Sequence, residues 1–138
     1  MNLQLTNQVD YAIRAMAYLA WSEQDKWIPT NVIAEKMQIP PKFLSRINIF
    51  LVRSNLICTK RGIKGGVMLA KPADDITVHD VFVAIEGPVL INKCIANPET
   101  CTYPLNAQLI GFWQSNQDFI ENKLKSTSLA DLVNLSSS

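Results

Sequence analysis

The chain has one histidine and three cysteines among its 138 residues. No Ser-His-Asp arrangement, no paired-carboxylate spacing and no glycine-rich phosphate loop opening a helix after a strand can be traced, so an enzyme is not expected. Three cysteines are too few for a disulfide scaffold; in a reducing compartment they point to metal, redox chemistry or nothing. No apolar run approaches the ~20 residues that cross a bilayer, so no membrane association is expected. The opening Met1 to Asn7 lacks the charged segment and apolar stretch of a secretory leader, and the expected location is cytoplasmic. There is no internal repeat. The only low-complexity stretch, Ser136 to Ser138, is expected to fray.

The most informative absence is that of negative charge. Between Lys36 and Lys71 stand Lys36, Lys42, Arg46, Arg53, Lys60, Arg61, Lys64 and Lys71, with no Asp or Glu among them. The whole chain is at +1, so the remainder holds five Lys and Arg against twelve Asp and Glu, a balance of −7. Charge segregated in this way suits a protein that meets a polyanion with one part and avoids it with the rest.

What is present reads as mostly helical. A first helix starts at Thr6 or Asn7, either of which suits an N-cap, with Val9, Ala12, Ile13, Met16, Leu19 and Ala20 at helical spacing. A short second helix follows Pro29, with Thr30 as its cap and Ile33, Ala34 and Met37 on its inner face. Pro40 and Pro41 interrupt it, because the residue before a proline avoids the α region while the first helical position tolerates one. A third helix is predicted from Pro41 to Ser54, with Phe43, Leu44, Ile47, Phe50 and Leu51 inward and Lys42, Ser45, Arg46, Asn48 and Arg53 outward.

Two strands, Leu56 to Lys60 and Val67 to Ala70, then flank the turn Arg61-Gly62-Ile63-Lys64-Gly65-Gly66, whose glycines allow positive φ. Two helices, a short turn and a hairpin are the order of a winged helix-turn-helix that reads DNA. A linker from Pro72 to Ile76 leads to Thr77, the cap of a helix from Val78 to Glu86 that Gly87-Pro88 ends. A loop from Val89 to Pro104 holds Cys94 and Cys101. A long helix from about Leu105 to Lys125 carries the stripe Leu105, Leu109, Phe112, Trp113, Ile120 and Leu124, a plausible seam between two copies. A last turn begins at Thr127 or Ser128. Residues 1–76 are thus expected to form the DNA-binding domain. Residues 77–138 would supply a sensor loop (89–104) and a dimerisation helix.

The ordered set of segments resembles the Rrf family of bacterial winged-helix transcription regulators, the IscR/NsrR/CymR group, over nearly the whole chain. The similarity lies in Leu5-Thr6 with Asp10 to Ala15, Ile33-Ala34 with Ile39 to Leu44, Arg61-Gly62 with Gly65-Gly66, Glu86 to Val89, and Thr127 to Leu132. The resemblance implies a homodimeric repressor or activator that binds a palindromic operator, its long C-terminal helices crossing at the interface. Many members hold an iron-sulfur cluster with three cysteines in the loop before that helix. Others carry none and respond to a protein partner or to cysteine oxidation.

Carried onto this chain, Cys94 and Cys101 match the first two cluster ligands. The third lies two residues before Leu109 and six before Trp113, where this sequence has Ala107. The histidine that some members place three residues later is Ile110 here. Asp10 matches the acidic ligand that the nitric-oxide-sensing branch takes from the partner's first helix; it equally suits a first-turn acid favoured by the helix dipole. Clusters prefer four mostly thiolate ligands. The alternatives for Cys94 and Cys101 are leftover thiols or a redox-active pair able to close a disulfide. Cys58 is expected to be a packed strand residue, His79 a surface residue, and Trp21, Trp27 and Trp113 packing anchors.

In this frame the third helix enters the major groove by its N-terminal end. Lys42, Ser45 and Arg46 lie nearest the base edges, and Arg46 can pair with guanine O6 and N7. Thr30, Asn31, Arg53 and Lys60 are the expected phosphate contacts, and Arg61 and Lys64 reach toward a minor groove.

Overall fold

Thr6 sits in extended backbone and its hydroxyl oxygen accepts the Val9 amide at 3.3 Å, which starts helix α1 (Asn7–Trp21). The computed structural model describes residues 4–134. The expected fraying of Ser136 to Ser138 falls outside them. Helix α2 (Thr30–Lys36) and helix α3 (Pro41–Arg53) follow, the latter with Pro41 at its first position. Proline there loses no intrahelical hydrogen bond and brings φ already set for the helix. Thr30, expected as a cap, is instead the first helical residue; Pro29 holds the cap position and no side chain caps the helix.

Strands β1 (Ile57–Lys60) and β2 (Gly66–Leu69) pair antiparallel, with Ile57 opposite Leu69 and Thr59 opposite Val67. Residues along a strand alternate between faces. Ile57 and Val67 are buried, so Cys58 points the other way and is exposed. This corrects the expectation that Cys58 is packed: the hairpin covers the core with one face only. Ile28 adds a one-residue third strand against Val67.

Helix α4 (Val78–Glu86), a short helix α5 (Lys93–Ala96), the long helix α6 (Asn106–Lys125) and helix α7 (Leu129–Val133) follow among the described residues. Two complete capping boxes, Thr77 with Asp80 and Ser128 with Asp131, start α4 and α7. Each cap contributes about 1 kcal/mol. They lie side by side, because the Val78 amide donates to the Thr127 carbonyl at 2.9 Å and the Leu129 amide to the Ile76 carbonyl at 2.8 Å.

A cluster of buried side chains joins α1, α2 and α3 to the hairpin, α4 and α7; Met16, Ile33, Leu44, Ile47, Leu51, Val67, Ile76, Val81 and Leu129 are among its fully enclosed members. Truncating any of the large aliphatic ones to alanine costs about 2–5 kcal/mol. Helix α6 behaves differently. Its Leu109, Phe112, Trp113, Phe119 and Ile120 are exposed, and its one buried residue is Gln117. Trp21, expected to pack, is 71% exposed, because it falls at the last turn of α1 beyond the core. His79, expected on the surface, is half-buried.

Candidate nucleic-acid interface and cysteine loop

The amphipathic pattern of α3 decides which of its side chains face water. Leu44, Ile47 and Leu51 anchor one side, and Lys42, Ser45, Arg46 and Arg53 emerge on the other, all exposed. The turn from α2 is tight: the Ile39 amide donates to the Ala34 carbonyl at 2.8 Å, and Gln38 takes φ +55°. Arg14 locks this turn from α1, donating to the Met37 and Gln38 carbonyls at 3.1 and 3.2 Å. The angle between α2 and α3 is thereby held by a side chain outside the pair, a link with no sequence signature.

Asn48, one of the expected outward residues, is half-buried and donates from Nδ2 to Thr30 Oγ1 at 3.4 Å. It ties α3 to the start of α2. Thr30, Ser45, Asn48, Arg53 and Thr59, with the apolar Ile49 and Val52, line an open groove of about 540 Å³ between α2, α3 and the first strand of the wing. Ser45 donates to the Pro41 carbonyl at 3.1 Å, leaving its oxygen lone pairs free to accept. Asn31 is exposed at the beginning of α2.

At the wing, Lys60 Nζ lies 5.9 Å from the Trp27 ring centroid, so Trp27 shelves a cation. Arg61 stands just before the tip of the wing and Lys64 lies within it, both exposed. Glycine is required at two positions here. Gly66 has φ +147° and a Cβ would collide with the Ile28 carbonyl; at Gly65 it would collide with the Lys60 carbonyl.

Electrostatically, the face is uncompensated. All eight cations from Lys36 to Lys71 are exposed. The ion pairs among the described residues are Arg14–Asp10, Lys26–Glu23 and Lys125–Glu121, and none involves those eight. The structure thus presents Lys42, Arg46, Arg53, Lys60, Arg61 and Lys64 on the helix-turn-helix and wing with their charges unspent.

The cysteine loop lies between α4 and α6. Asn92 caps α5 by accepting the Cys94 amide at 2.8 Å. Cys94 and Cys101, 4% and 3% exposed, are joined in a disulfide across a Cα separation of 5.9 Å. Tyr103 Oη lies 3.4 Å from Cys94 Sγ. Asn106 Nδ2 donates to the Cys101 carbonyl at 2.6 Å, which couples the loop to the first residue of α6. Gln117 Oε1 accepts the Ile91 amide at 3.1 Å and holds the near end of the loop to the middle of the same helix. Ala107 is exposed, one residue beyond Asn106. Within its own chain, the Asp10 carboxylate accepts from Arg14 at 2.7 Å. Among the described residues no three His, Cys, Asp or Glu side chains gather as a metal-holding group.

A helix-turn-helix followed directly by a cationic hairpin defines a winged-helix, DNA-binding transcription regulator. The chain belongs to the Rrf2 family of iron-dependent transcriptional regulators, whose family model matches residues 5–135. It is 30% identical to the HTH-type transcriptional regulator IscR of Photorhabdus laumondii over 132 residues, 96% of this chain and 80% of that protein. The structure of oxidised CymR from Staphylococcus aureus is similar with a TM-score of 0.77 and 26% identity, covering 99% of this chain and 100% of that one. CymR of B. subtilis, a global cysteine regulator, shares the fold at a TM-score of 0.79 and 24% identity, covering 99% and 100% of the two chains.

The donor set does not suit an iron-sulfur cluster. The two sulfurs that would ligate iron are bonded to each other and become donors only on reduction. Position 107 offers a methyl group. Two thiolates and one carboxylate fall short of the four mostly thiolate ligands that clusters take.

Proposed function

We propose that this regulator acts as a homodimer whose operator affinity follows the thiol–disulfide state of Cys94 and Cys101. The observation that carries the sensing half is the closed Cys94–Cys101 bond, adjoining α6 through Asn106. Reduction by a dithiol delivers two electrons and two protons, leaves two thiols and oxidises the dithiol to its own disulfide. Released from its cross-link, the loop no longer fixes the start of α6, and α6 packs on α4, which in turn packs on α1 and α3.

Residues 1–76 form the reading part and 77–138 the sensing and pairing part. Pairing along α6 would cover the exposed Leu109, Phe112, Trp113 and Ile120 and place two α3 helices on successive major-groove faces, which matches a palindromic operator. On the DNA, Lys42, Ser45 and Arg46 read base edges, with Arg46 on guanine. Thr30, Asn31, Arg53 and Lys60 hold phosphates, and Arg61 and Lys64 enter the minor groove. Six exposed cations, Lys42, Arg46, Arg53, Lys60, Arg61 and Lys64, without ion pairs among the described residues support this assignment.

The test is retention of a duplex enriched by the protein from a random-sequence library, measured by fluorescence anisotropy before and after reduction with dithiothreitol. A change in Kd that Cys94→Ser abolishes is expected. Equal affinity in both states would refute the switch, and failure to enrich any sequence would refute operator reading as well.

A further inference from the structure

The outermost residue of the wing is not a cation. The Gly65 amide donates to the Gly62 carbonyl at 3.0 Å, closing a four-residue turn in which Ile63 and Lys64 are the central pair. Ile63 is 103% exposed, the most exposed of the large apolar side chains among the described residues, and it stands between Arg61 and Lys64. Single apolar residues on a surface are ordinary. This one differs in its mounting. The turn rests on Gly65 against the Lys60 carbonyl and on Gly66 against the Ile28 carbonyl, each too close for any larger residue. The strand behind it is fixed by two backbone hydrogen bonds between Ile28 and Val67. A β-branched side chain, stiff at χ1, is thus carried at the vertex of a rigid, cationic hairpin.

A branched aliphatic group flanked by two cations has a defined use on DNA. The cations approach phosphates along the minor groove, and the apolar group enters between base pairs at a step that opens easily. Pyrimidine–purine steps, TA and CA/TG, cost least to unstack. We infer that Ile63 is a wedge that selects a deformable base step on each flank of the operator. The inference rests on the proposed placement of the wing in the minor groove. It assigns specificity to base pairs that no hydrogen-bonding side chain touches, at positions related by the dyad of the dimer.

The experiment compares the wild-type dimer with Ile63→Ser, Ile63→Val and Lys64→Gln, each selecting duplexes from a random-sequence library. Ile63 makes no buried contact, so Ile63→Ser keeps the wild-type melting temperature. Wild type and Ile63→Val are expected to enrich a pyrimidine–purine step at the two outer positions. Ile63→Ser should lose that preference, keep the central one and bind the wild-type selected duplex about tenfold more weakly at an unchanged salt slope. Lys64→Gln should keep the step and lower the slope. In the same selected duplex, 2-aminopurine placed at the step should brighten on binding wild type and stay dark with Ile63→Ser. Identical outer preferences and emission for wild type and Ile63→Ser would overturn the wedge while leaving operator reading intact. A wild-type protein that enriches no sequence would remove both.

Discussion

Ile28 and Val67 exchange both backbone hydrogen bonds, Ile28 N to Val67 O at 2.9 Å and Val67 N to Ile28 O at 2.8 Å. The segment before α2 and the returning strand of the wing are therefore one unit, and the wing has no freedom to hinge at that point. A Cβ at Gly66, next to Val67, would collide with the Ile28 carbonyl. Gly66→Ala should separate the two segments and destabilise the protein by about 1–3 kcal/mol, since the new Cβ meets backbone and φ is positive. Chemical denaturation measures the loss. A duplex-affinity defect larger than the unfolded fraction accounts for would locate the damage in the wing.

Base reading and charge neutralisation separate by salt. Arg46→Ala should cost about 1–3 kcal/mol of discrimination at one base pair of each half-site. Arg53→Gln should weaken selected and unrelated duplexes alike. If the dimer neutralises about six phosphates, the log–log slope against salt is near about −5, and Arg53→Gln in both subunits lowers its magnitude by about 2. A titration series in potassium chloride distinguishes the two behaviours; a slope unaffected by Arg53→Gln would remove that residue from the phosphate contacts.

The exposed stripe of α6 predicts its own variant. Phe112→Asp introduces a charge where the proposed pair interface would exclude water, a substitution that costs the folded chain little because Phe112 is already exposed. Sedimentation equilibrium should show wild type as a dimer and Phe112→Asp as a monomer, with duplex affinity falling in step. A dimeric variant would place the interface elsewhere.

The disulfide closes a short loop, with a sequence separation of 7. Loop-closure entropy assigns such a cross-link about 2 kcal/mol. Reduction, or Cys94→Ser, should lower unfolding stability by that order, read from urea melts with and without dithiothreitol.

Position 107 offers a gain-of-function measurement. Asn106 bonds the Cys101 carbonyl at 2.6 Å, so a thiol at the next residue stands at the mouth of the cysteine loop. After anaerobic reduction and supply of iron and sulfide, Ala107→Cys should bind iron and absorb in the visible, while wild type stays colourless or substoichiometric. Iron content no higher in the variant would show that 107 is not the missing ligand position.

How much of this was legible beforehand follows from the range of each interaction. Helices α1, α3 and α4 declare themselves through apolar residues at helical spacing and through Thr6, Pro41 and Thr77 at their starts. The charge segregation from Lys36 to Lys71 needs only counting. The wing is marked by glycines between two short strands. These are signals within a few residues of each other, and local sterics and hydrogen bonding carry them.

Other features depend on residues far apart in the chain. The Ile28 bridge, the Arg14 clasp on the α2–α3 turn, the Asn48–Thr30 bond and the buried Gln117 join positions from 18 to 39 residues apart. No pattern along the sequence encodes them, because each forms only once the core has set the distance. The exposure of Cys58 has the same origin: strand alternation yields two faces but does not say which one the core will claim. Spacing alone left Cys94 and Cys101 open between free thiols, cluster ligands and a bonded pair. The tertiary structure joined them, because α5 and the turn before α6 bring two side chains seven residues apart to a Cα separation of 5.9 Å, within the span a disulfide bridges.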